Sequence, residues 1–159
     1  MGDGTTDTLC GKVGVFGRKD GIGNQTTFYH PNGLSFDSIS QYLYVVDYYN
    51  HSIRRISVKD GRVETICGSG ECGYLDGSFQ ESMFYSPYDV EWNSSTEELY
   101  VADMWNHVIR VVSMKERRVR TLCGIPGVRG YEDGIHKSIK VQLSFWIIIR
   151  FSLQLFVCF

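Results

Sequence analysis

Short runs of apolar residues, separated by turn residues, recur along most of this chain. Runs rich in Val, Ile, Tyr and Thr that are bounded by Gly, Asn, Asp or Pro are typical of β-strands. Helical periodicity is absent from these runs. The pattern predicts two sets of four strands, which cover residues 32–36, 42–46, 51–58 and 62–67, and then residues 88–92, 98–102, 107–114 and 118–123.

The polarity of individual strands predicts their positions in a sheet. Residues 43–46 are apolar throughout, as expected for a strand that is buried on both faces. Residues 62–67 alternate between polar and apolar side chains, which indicates an outer strand with one face in water. The Asp-Gly pair at residues 60–61 predicts a tight hairpin between the third and fourth strands.

The two sets of strands belong to one duplicated unit. Residues 28–68 and 84–124 are identical at 19 of 41 positions when they are aligned at an offset of 56 residues. A Thr-Leu-Cys-Gly or Thr-Ile-Cys-Gly ending occurs three times, at Gly11, Gly68 and Gly124. We therefore expect the end of an earlier unit, two whole units, which we call repeat A and repeat B, and the start of a fourth.

This spacing predicts the boundaries of the parts. Each connecting loop contains an Asp-Gly pair, which is a turn signal. The predicted parts are the end of a preceding blade with its loop (1–27), repeat A (28–68), a loop (69–83), repeat B (84–124), a loop (125–136) and an apolar tail that does not match the repeat (137–159).

Each repeat contains the same distinctive segment. It reads Leu-Tyr-Val-Val-Asp or Leu-Tyr-Val-Ala-Asp, two further residues, Asn-His, one residue and Ile-Arg. An aromatic residue and a Pro three positions later precede it, and a Val-x-Thr-Ile/Leu-Cys-Gly ending follows it. Over about residues 6–136 this pattern resembles NHL repeats, although Cys stands where the ending often has Ala.

The resemblance implies an all-β fold. It implies a partial β-propeller with two complete four-stranded antiparallel blades and partial blade elements at each end. The usual parent fold is a six-bladed propeller, and two blades cannot close such a ring. Because each blade buries its faces only against its neighbours, we expect further blades or another chain to complete it.

Four polar residues occupy equivalent positions around one turn in each of the two repeats, which makes eight in all. Asp, Asn and His can ligate metals, but a set that recurs in every unit is explained more economically by the fold. We expect Asp and Asn to cap the turn, His to pack beside it, and Arg to pair with an Asp of its own or a neighbouring blade. We therefore predict no catalytic residue, no metal site and no cofactor. The eight residues are Asp47, Asn50, His51, Arg54, Asp103, Asn106, His107 and Arg110.

Three classes of function stay open. The net charge of −2 provides no general basic field for nucleic acid, so we expect a non-catalytic scaffold whose loops bind a protein. Small basic clusters at residues 54–55 and 117–120 leave RNA binding as an alternative. The other alternative is an enzyme, because related six-bladed propellers include lactonases and lyases with a metal in the central channel.

The ends of the chain bear on its location. The first residues contain no basic and apolar signal sequence, which favours an intracellular location over a secreted one. The apolar tail from Leu143 to Phe159 leaves three interpretations: a non-native C-terminus, a membrane anchor, or a strand pair that caps the last blade. Arg150 in its middle disfavours the anchor by about 2.5–3.5 kcal/mol.

Three of the five cysteines occupy equivalent repeat positions. Equivalent residues of successive blades lie too far apart for a disulfide, so we expect Cys10, Cys67 and Cys123 to be small buried apolar residues. A local disulfide between Cys67 and Cys72 is the alternative.

Overall fold

The computed structural model describes residues 5–130, which form two antiparallel β-sheets of five strands each. The strands are β1 (Gly21–Ile22), β2 (Pro31–Asp37), β3 (Tyr42–Asp47), β4 (Ser52–Ser57), β5 (Arg62–Cys67), β6 (Gly77–Ser78), β7 (Asp89–Asn93), β8 (Glu98–Asp103), β9 (Val108–Ser113) and β10 (Arg118–Cys123). Short 3₁₀ turns occupy Gly23–Gln25, Tyr48–Asn50 and Met104–Asn106. The predictions for the apolar tail and for the start of a fourth unit lie outside the described residues.

The two sheets have the same topology. Sheet A has the order β1-β5-β4-β3-β2, and sheet B has the order β6-β10-β9-β8-β7. The all-β prediction is confirmed, and strands β5 and β10 have the predicted bounds. Within residues 5–130, no helix is both long enough and apolar enough to span a membrane.

The number of strands in each sheet differs from the prediction. Each connecting loop adds a two-residue strand to the outer edge, so that the sheets have five strands and not four. Gly21 pairs with Val63 and Ile22 with Arg62, and Ser78 pairs with Arg118 in the same way in sheet B. The added strand pairs with β5 or β10, whose backbone groups would otherwise have no hydrogen-bond partners along that edge.

The two sheets pack against each other and share one hydrophobic core. Buried residues of sheet A, such as Val46 and Ile53, lie in one cluster with Val90, Leu99 and Val101 of sheet B. The ring of Tyr44 stacks on Trp92 with a centroid distance of 5.0 Å. This shared core places β2 of sheet A directly against β7 of sheet B.

A glycine permits the close approach of these two inner strands. The Gly33 N–H donates to the carbonyl oxygen of Tyr88 at 3.1 Å. A Cβ atom at position 33 would lie 2.6 Å from the Cα atom of Asp89, which is closer than real Cβ contacts allow. The Trp92 N–H also donates to the Ser35 hydroxyl at 3.0 Å, so polar contacts fix the register of the sheets.

The cysteines follow the apolar expectation. Cys67 and Cys123 are buried at the ends of β5 and β10, and Cys10 is half-buried against the core of sheet A. Cys67 and Cys72 are both free thiols, so the alternative of a local disulfide is wrong. Burial raises the pKa of the Cys67 thiol well above its ordinary value, as expected for an unreactive thiol.

Candidate functional site

A buried arginine holds together the centre of sheet A. Arg54 on β4 is fully buried, and its guanidinium donates to the buried Asp47 carboxylate at the end of β3. The other Nη atom donates to Asp20 in the connecting loop at 2.7 Å. Two loop carbonyl oxygens accept further bonds at 3.2 Å, and the guanidinium lies 4.9 Å from the centre of the Phe28 ring.

Sheet B contains the same arrangement 56 residues later. The fully buried Arg110 donates to Asp103 at 2.8 Å and to Asp76 at 2.8 Å. Two loop carbonyl oxygens accept at 2.8 and 2.9 Å, and the Phe84 ring centre lies 5.0 Å from the guanidinium. We call each Asp-Arg-Asp set with its loop carbonyls the ion-pair network of its sheet.

Asp103 is buried and has several compensating partners. Burial raises the pKa of this carboxyl to about 6, while Arg110, the Asn106 amide and the Tyr85 N–H act in the opposite direction. A buried carboxylate with a guanidinium partner and two further donors is well compensated. The network is therefore a structural support, in which the Nη atoms of both arginines are paired and the buried Nε atoms have no hydrogen-bond partner among residues 5–130.

The second carboxylate of each network connects the loop to strand β5 in sheet A and to strand β10 in sheet B. Asp20 accepts bonds from the Thr65 N–H and the Thr65 hydroxyl at 2.9 and 3.0 Å. Asp76 accepts the same pair from Thr121 at 3.1 Å each. Because Asp20 and Asp76 also bind the arginines, each network links the loop to the middle strand of its sheet and to the adjacent strand, β5 or β10.

The turn after β3, and its counterpart after β8, are held by Asn and His. The Asn50 amide donates to Asp47 at 2.7 Å, and the Asn106 amide donates to Asp103 at 2.8 Å. His51 and His107 follow in the left-handed region, with φ of 49° and 56°. A left-handed residue ends the 3₁₀ turn and directs the chain into the next strand.

His51 also connects the two sheets. Its Nδ1 atom accepts a hydrogen bond of 3.0 Å from the Ser86 N–H, in the segment between β6 and β7. The Nδ1 atom of His107 is buried and has no partner among residues 5–130, while its Nε2 atom accepts from Arg129 at 3.4 Å. Burial lowers the pKa of both histidines, with a further contribution from Arg129 at His107.

The same carboxylates support an exposed row of aromatic side chains. The Tyr29 N–H donates to Asp47 at 2.7 Å, and the Tyr85 N–H donates to Asp103 at 2.8 Å. The Tyr49 N–H then donates to the Tyr29 carbonyl, as the Trp105 N–H donates to that of Tyr85, each at 3.1 Å. The buried turn residues thus hold the backbone, and the residues between them project outward.

The rings form one continuous row across both sheets. Centroid distances are 4.9 Å from Phe16 to Tyr29, 4.9 Å from Tyr29 to Tyr49, 4.7 Å from Tyr49 to Tyr48, and 6.0 Å from Trp105 to Tyr85. The Trp105 indole N–H donates to the Tyr48 hydroxyl at 2.9 Å and joins the two halves. We call this row the aromatic ridge; its members are Phe16, Tyr29, Tyr48, Tyr49, Tyr85 and Trp105.

The aromatic ridge is open to solvent. The exposed fraction is 73% for Phe16, 48% for Tyr49, 42% for Trp105 and 40% for both Tyr29 and Tyr85. Rings of this size are enriched where proteins bind partners, since they bury a large area at a low cost in side-chain entropy. A connected row of exposed rings is therefore the candidate binding surface of the described chain.

The structure separates supporting residues from displayed ones. It brings all eight predicted signature residues to the two turns, where they are buried or half-buried. Arg54 and Arg110 are fully enclosed, so neither guanidinium can reach an RNA phosphate in this conformation. Within residues 5–130, no group of three His, Cys, Asp or Glu side chains is placed to hold a metal ion.

The sequence alone does not reveal the aromatic ridge or the second carboxylates. Asp20 and Asp76 read only as turn residues in the sequence, since their arginine partners lie 34 residues away. A signal for the ridge was present in the sequence, because Tyr29, Tyr49, Tyr85 and Trp105 are aromatic residues at turn positions. Turns favour small polar residues, so aromatic residues there need another explanation.

Known proteins share both the sequence pattern and the fold. No profile of a known protein family matches the chain. The chain is similar to NHL repeat-containing protein 2 of Homo sapiens, with 36% identity over 109 residues that make up 68% of this chain and 15% of that protein. It is also similar to Protein SUPPRESSOR OF QUENCHING 1, chloroplastic, of Arabidopsis thaliana, with 33% identity over 115 residues, 72% of this chain and 11% of that protein.

The chain thus spans about 11–15% of the length of these curated relatives. Among solved structures, it is similar to an auxiliary nutrient binding protein from Bacteroides thetaiotaomicron, with a TM-score of 0.62 and 22% identity over 74% of this chain and 31% of that one. That likeness concerns the fold alone. The duplicated signature, the repeated sheet topology and the similarity to NHL repeat-containing protein 2 show that this chain belongs to the NHL-repeat family of β-propeller proteins.

Proposed function

We propose that this chain is a non-catalytic part of a propeller scaffold, and that its aromatic ridge binds a protein. The observation that carries the proposal is the continuity of the ridge across both sheets. Six aromatic side chains from four separate turns and a loop meet in one row, and five of the six are exposed. Exposed aromatic patches of this kind are a recognised mark of protein-binding surfaces.

The rigidity of the support favours binding. The backbone under the ridge is fixed by the buried Asp47 and Asp103 carboxylates and by the two ion-pair networks. A surface that is already ordered before binding loses little conformational entropy when a partner arrives. The fold supplies a fixed platform, and the ridge residues supply the contact area.

The proposal can be tested by selection from a library of random peptides displayed on phage. The full 159-residue chain is immobilised, and selection is repeated with a Tyr49→Ser/Trp105→Ser double variant. Since Tyr49 and Trp105 project outward, their loss removes ring area without touching the buried carboxylates. We expect peptides that are enriched on the unmodified chain and lost on the double variant.

The matched control is Ile39→Ser, because Ile39 is 79% exposed in the turn between β2 and β3, away from the ridge. This variant should retain the enriched peptides. Circular dichroism of all three proteins checks that they have the same β-structure. Enrichment that is equal on the unmodified chain and the double variant would contradict a binding role for the ridge.

A further inference from the structure

We infer that the partner of the aromatic ridge is a proline-rich peptide in the extended polyproline II conformation. This inference rests on the proposed function and specifies the class of partner. It follows from what the ridge offers to a ligand: ring faces, phenol hydroxyls, and turn segments without exposed fixed charge. Each of these features matches a property of polyproline II and disfavours other common ligands.

The first feature is the absence of exposed charge from the turns that carry five of the six rings. The turn segments 28–31, 47–51, 84–88 and 103–107 contain no Lys, Arg or Glu, whereas the loop that carries Phe16 contains the exposed Arg18 and Lys19. The Arg18 guanidinium donates to the carbonyl oxygens of Gly68 and Ser69. Their two Asp residues are fully buried under the ridge and paired with Arg. Single-stranded nucleic acids bind aromatic platforms together with cationic side chains that follow the phosphates. Turns without exposed charge therefore favour an uncharged ligand.

The second feature is the balance of hydrogen-bonding groups. The ridge presents tyrosine hydroxyls, and the Tyr48 hydroxyl that accepts from Trp105 keeps its own proton for donation. Proline residues have no N–H group but retain a carbonyl oxygen, and in polyproline II these oxygens point to solvent. A ligand with acceptors and few donors therefore suits the ridge. A sugar would bring many donors, and the exposed ridge has no carboxylate to receive them.

The third feature is the spacing of the rings. The steps from Phe16 to Tyr29 and from Tyr29 to Tyr49 are both 4.9 Å. Two such steps cover up to about 10 Å, close to the roughly 9 Å that three residues of polyproline II span. Proline rings at every third position can thus meet equivalent places along the ridge. Because polyproline II is ordered before binding, its docking also costs little entropy.

The experiment is a fluorescence anisotropy titration of the full chain with labelled decaproline. A labelled Gly-Ser peptide of equal length and a labelled uridine decamer serve as comparison probes. We expect saturable binding of decaproline that weakens about tenfold in Tyr49→Ser and in Trp105→Ser, as for aromatic residues at the centre of an interface. Tyr49→Phe keeps the ring and should weaken binding by no more than about threefold.

The control Ile39→Ser should bind decaproline like the unmodified chain, and thermal unfolding monitors whether every variant is folded. No decaproline binding at millimolar concentration, equal binding of the Gly-Ser peptide, or equal binding in the ridge variants would overturn the inference. Tighter binding of the uridine decamer would identify a nucleic-acid surface instead. If phage selection still yields ridge-dependent peptides without proline, the proposed function stands and only the proline class is wrong.

Discussion

Sheet A and sheet B share their internal supports and differ in what covers them. The ion-pair networks agree residue by residue, and both arginines are fully buried. The inner strands do not agree: Leu34 on β2 is 60% exposed, whereas its counterpart Val90 on β7 is 1% exposed beneath sheet A. The difference shows that polar order is built into each repeat, while apolar burial depends on a neighbouring sheet.

The lateral contacts of the two sheets differ in the same sense. His51 in sheet A accepts a hydrogen bond from Ser86 of sheet B. In sheet B, the corresponding Nδ1 atom of His107 has no partner in the described part of the chain. The hairpins differ as well: sheet A has Gly61 where sheet B has Arg117, although both residues have positive φ. These pairs allow internal and lateral contributions to stability to be measured separately.

The largest effect is expected from removing a buried arginine. Arg110→Met leaves Asp103 buried without its cationic partner, which should cost about 3–5 kcal/mol of unfolding free energy. Arg54→Met should cost a similar amount, because the two networks are equivalent. Urea unfolding followed by circular dichroism measures both values. If either variant does not fold, Asp76→Asn, at the half-exposed end of the network, provides a milder perturbation.

The matched control for this prediction is Arg120→Met. Arg120 is 51% exposed and pairs with Glu98 at 3.3 Å, so its loss should cost less than about 1 kcal/mol. A loss for Arg110→Met no larger than that for Arg120→Met would mean that the network does not support the sheet. Unequal losses for Arg54→Met and Arg110→Met would contradict the equivalence of the two sheets.

The second effect tests the lateral contribution. Val90→Ala opens a cavity between the sheets and should cost about 2 kcal/mol, since Val90 is almost fully buried. Leu34→Ala at the equivalent position should change the unfolding free energy by no more than about 0.5 kcal/mol. Both are measured by urea unfolding. Equal losses would show that the exposed face of sheet A is covered in solution.

The sequence predicted most of the internal architecture of the sheets. The eight long strands were placed correctly within one or two residues, because alternation and turn residues report local structure. The short strands β1 and β6 were not predicted, since two residues in a Gly-rich loop carry no periodic signal. The pairing of Arg54 with Asp20 also escaped prediction, because it depends on how a distant loop returns to the sheet.

The candidate surface was harder to predict than the fold. The sequence predicts that Asp47 and Asn50 cap a turn, and the structure places them at that turn. It does not predict a role for their neighbours Tyr48 and Tyr49, because a sequence does not show which side chains of a turn point outward. Only the arrangement of several turns in space turns separate aromatic residues into a ridge.

The third effect concerns pH and the contact between sheets. The pKa of His51 is lowered by burial, so the folded state favours the neutral ring, whose Nδ1 atom accepts from Ser86. The stabilisation from His51 is present above the ordinary pKa of about 6.5 and is lost as the pH falls through the lower folded value. At about pH 7.5, His51→Asn should cost about 1 kcal/mol through the lost hydrogen bond. Near pH 5 this difference should shrink.

The comparison with the variant is needed because Asp103 titrates in the same range with the opposite sign. The pKa of Asp103 is raised to about 6, so its contribution to stability is lost as the pH rises. Subtracting the variant from the unmodified chain cancels this contribution. Urea unfolding at both pH values measures the difference, and a value independent of pH would contradict the role of His51. Asn is used because it tolerates the left-handed conformation.

The smallest effect compares the two hairpins. Arg117 has φ of 53° where sheet A has Gly61, and a left-handed conformation costs a residue with a Cβ atom about 1–2 kcal/mol. Direct replacement by Gly also removes the contact of the guanidinium with the Phe79 ring, at 5.3 Å. Arg117→Ala removes that contact as well but keeps the Cβ atom. The difference between the two variants therefore isolates the backbone.

We expect Arg117→Gly to be more stable than Arg117→Ala by about 0.5–1 kcal/mol, after the entropy cost of Gly is subtracted. Thermal unfolding of both variants measures this difference. In sheet A, Gly61→Ala should destabilise more strongly, because the new Cβ atom would lie 2.6 Å from the Leu9 carbonyl oxygen. A more stable Ala variant at position 117 would show that this hairpin relaxes out of the left-handed conformation in solution, and that the two sheets differ in their turns as well as in their surroundings.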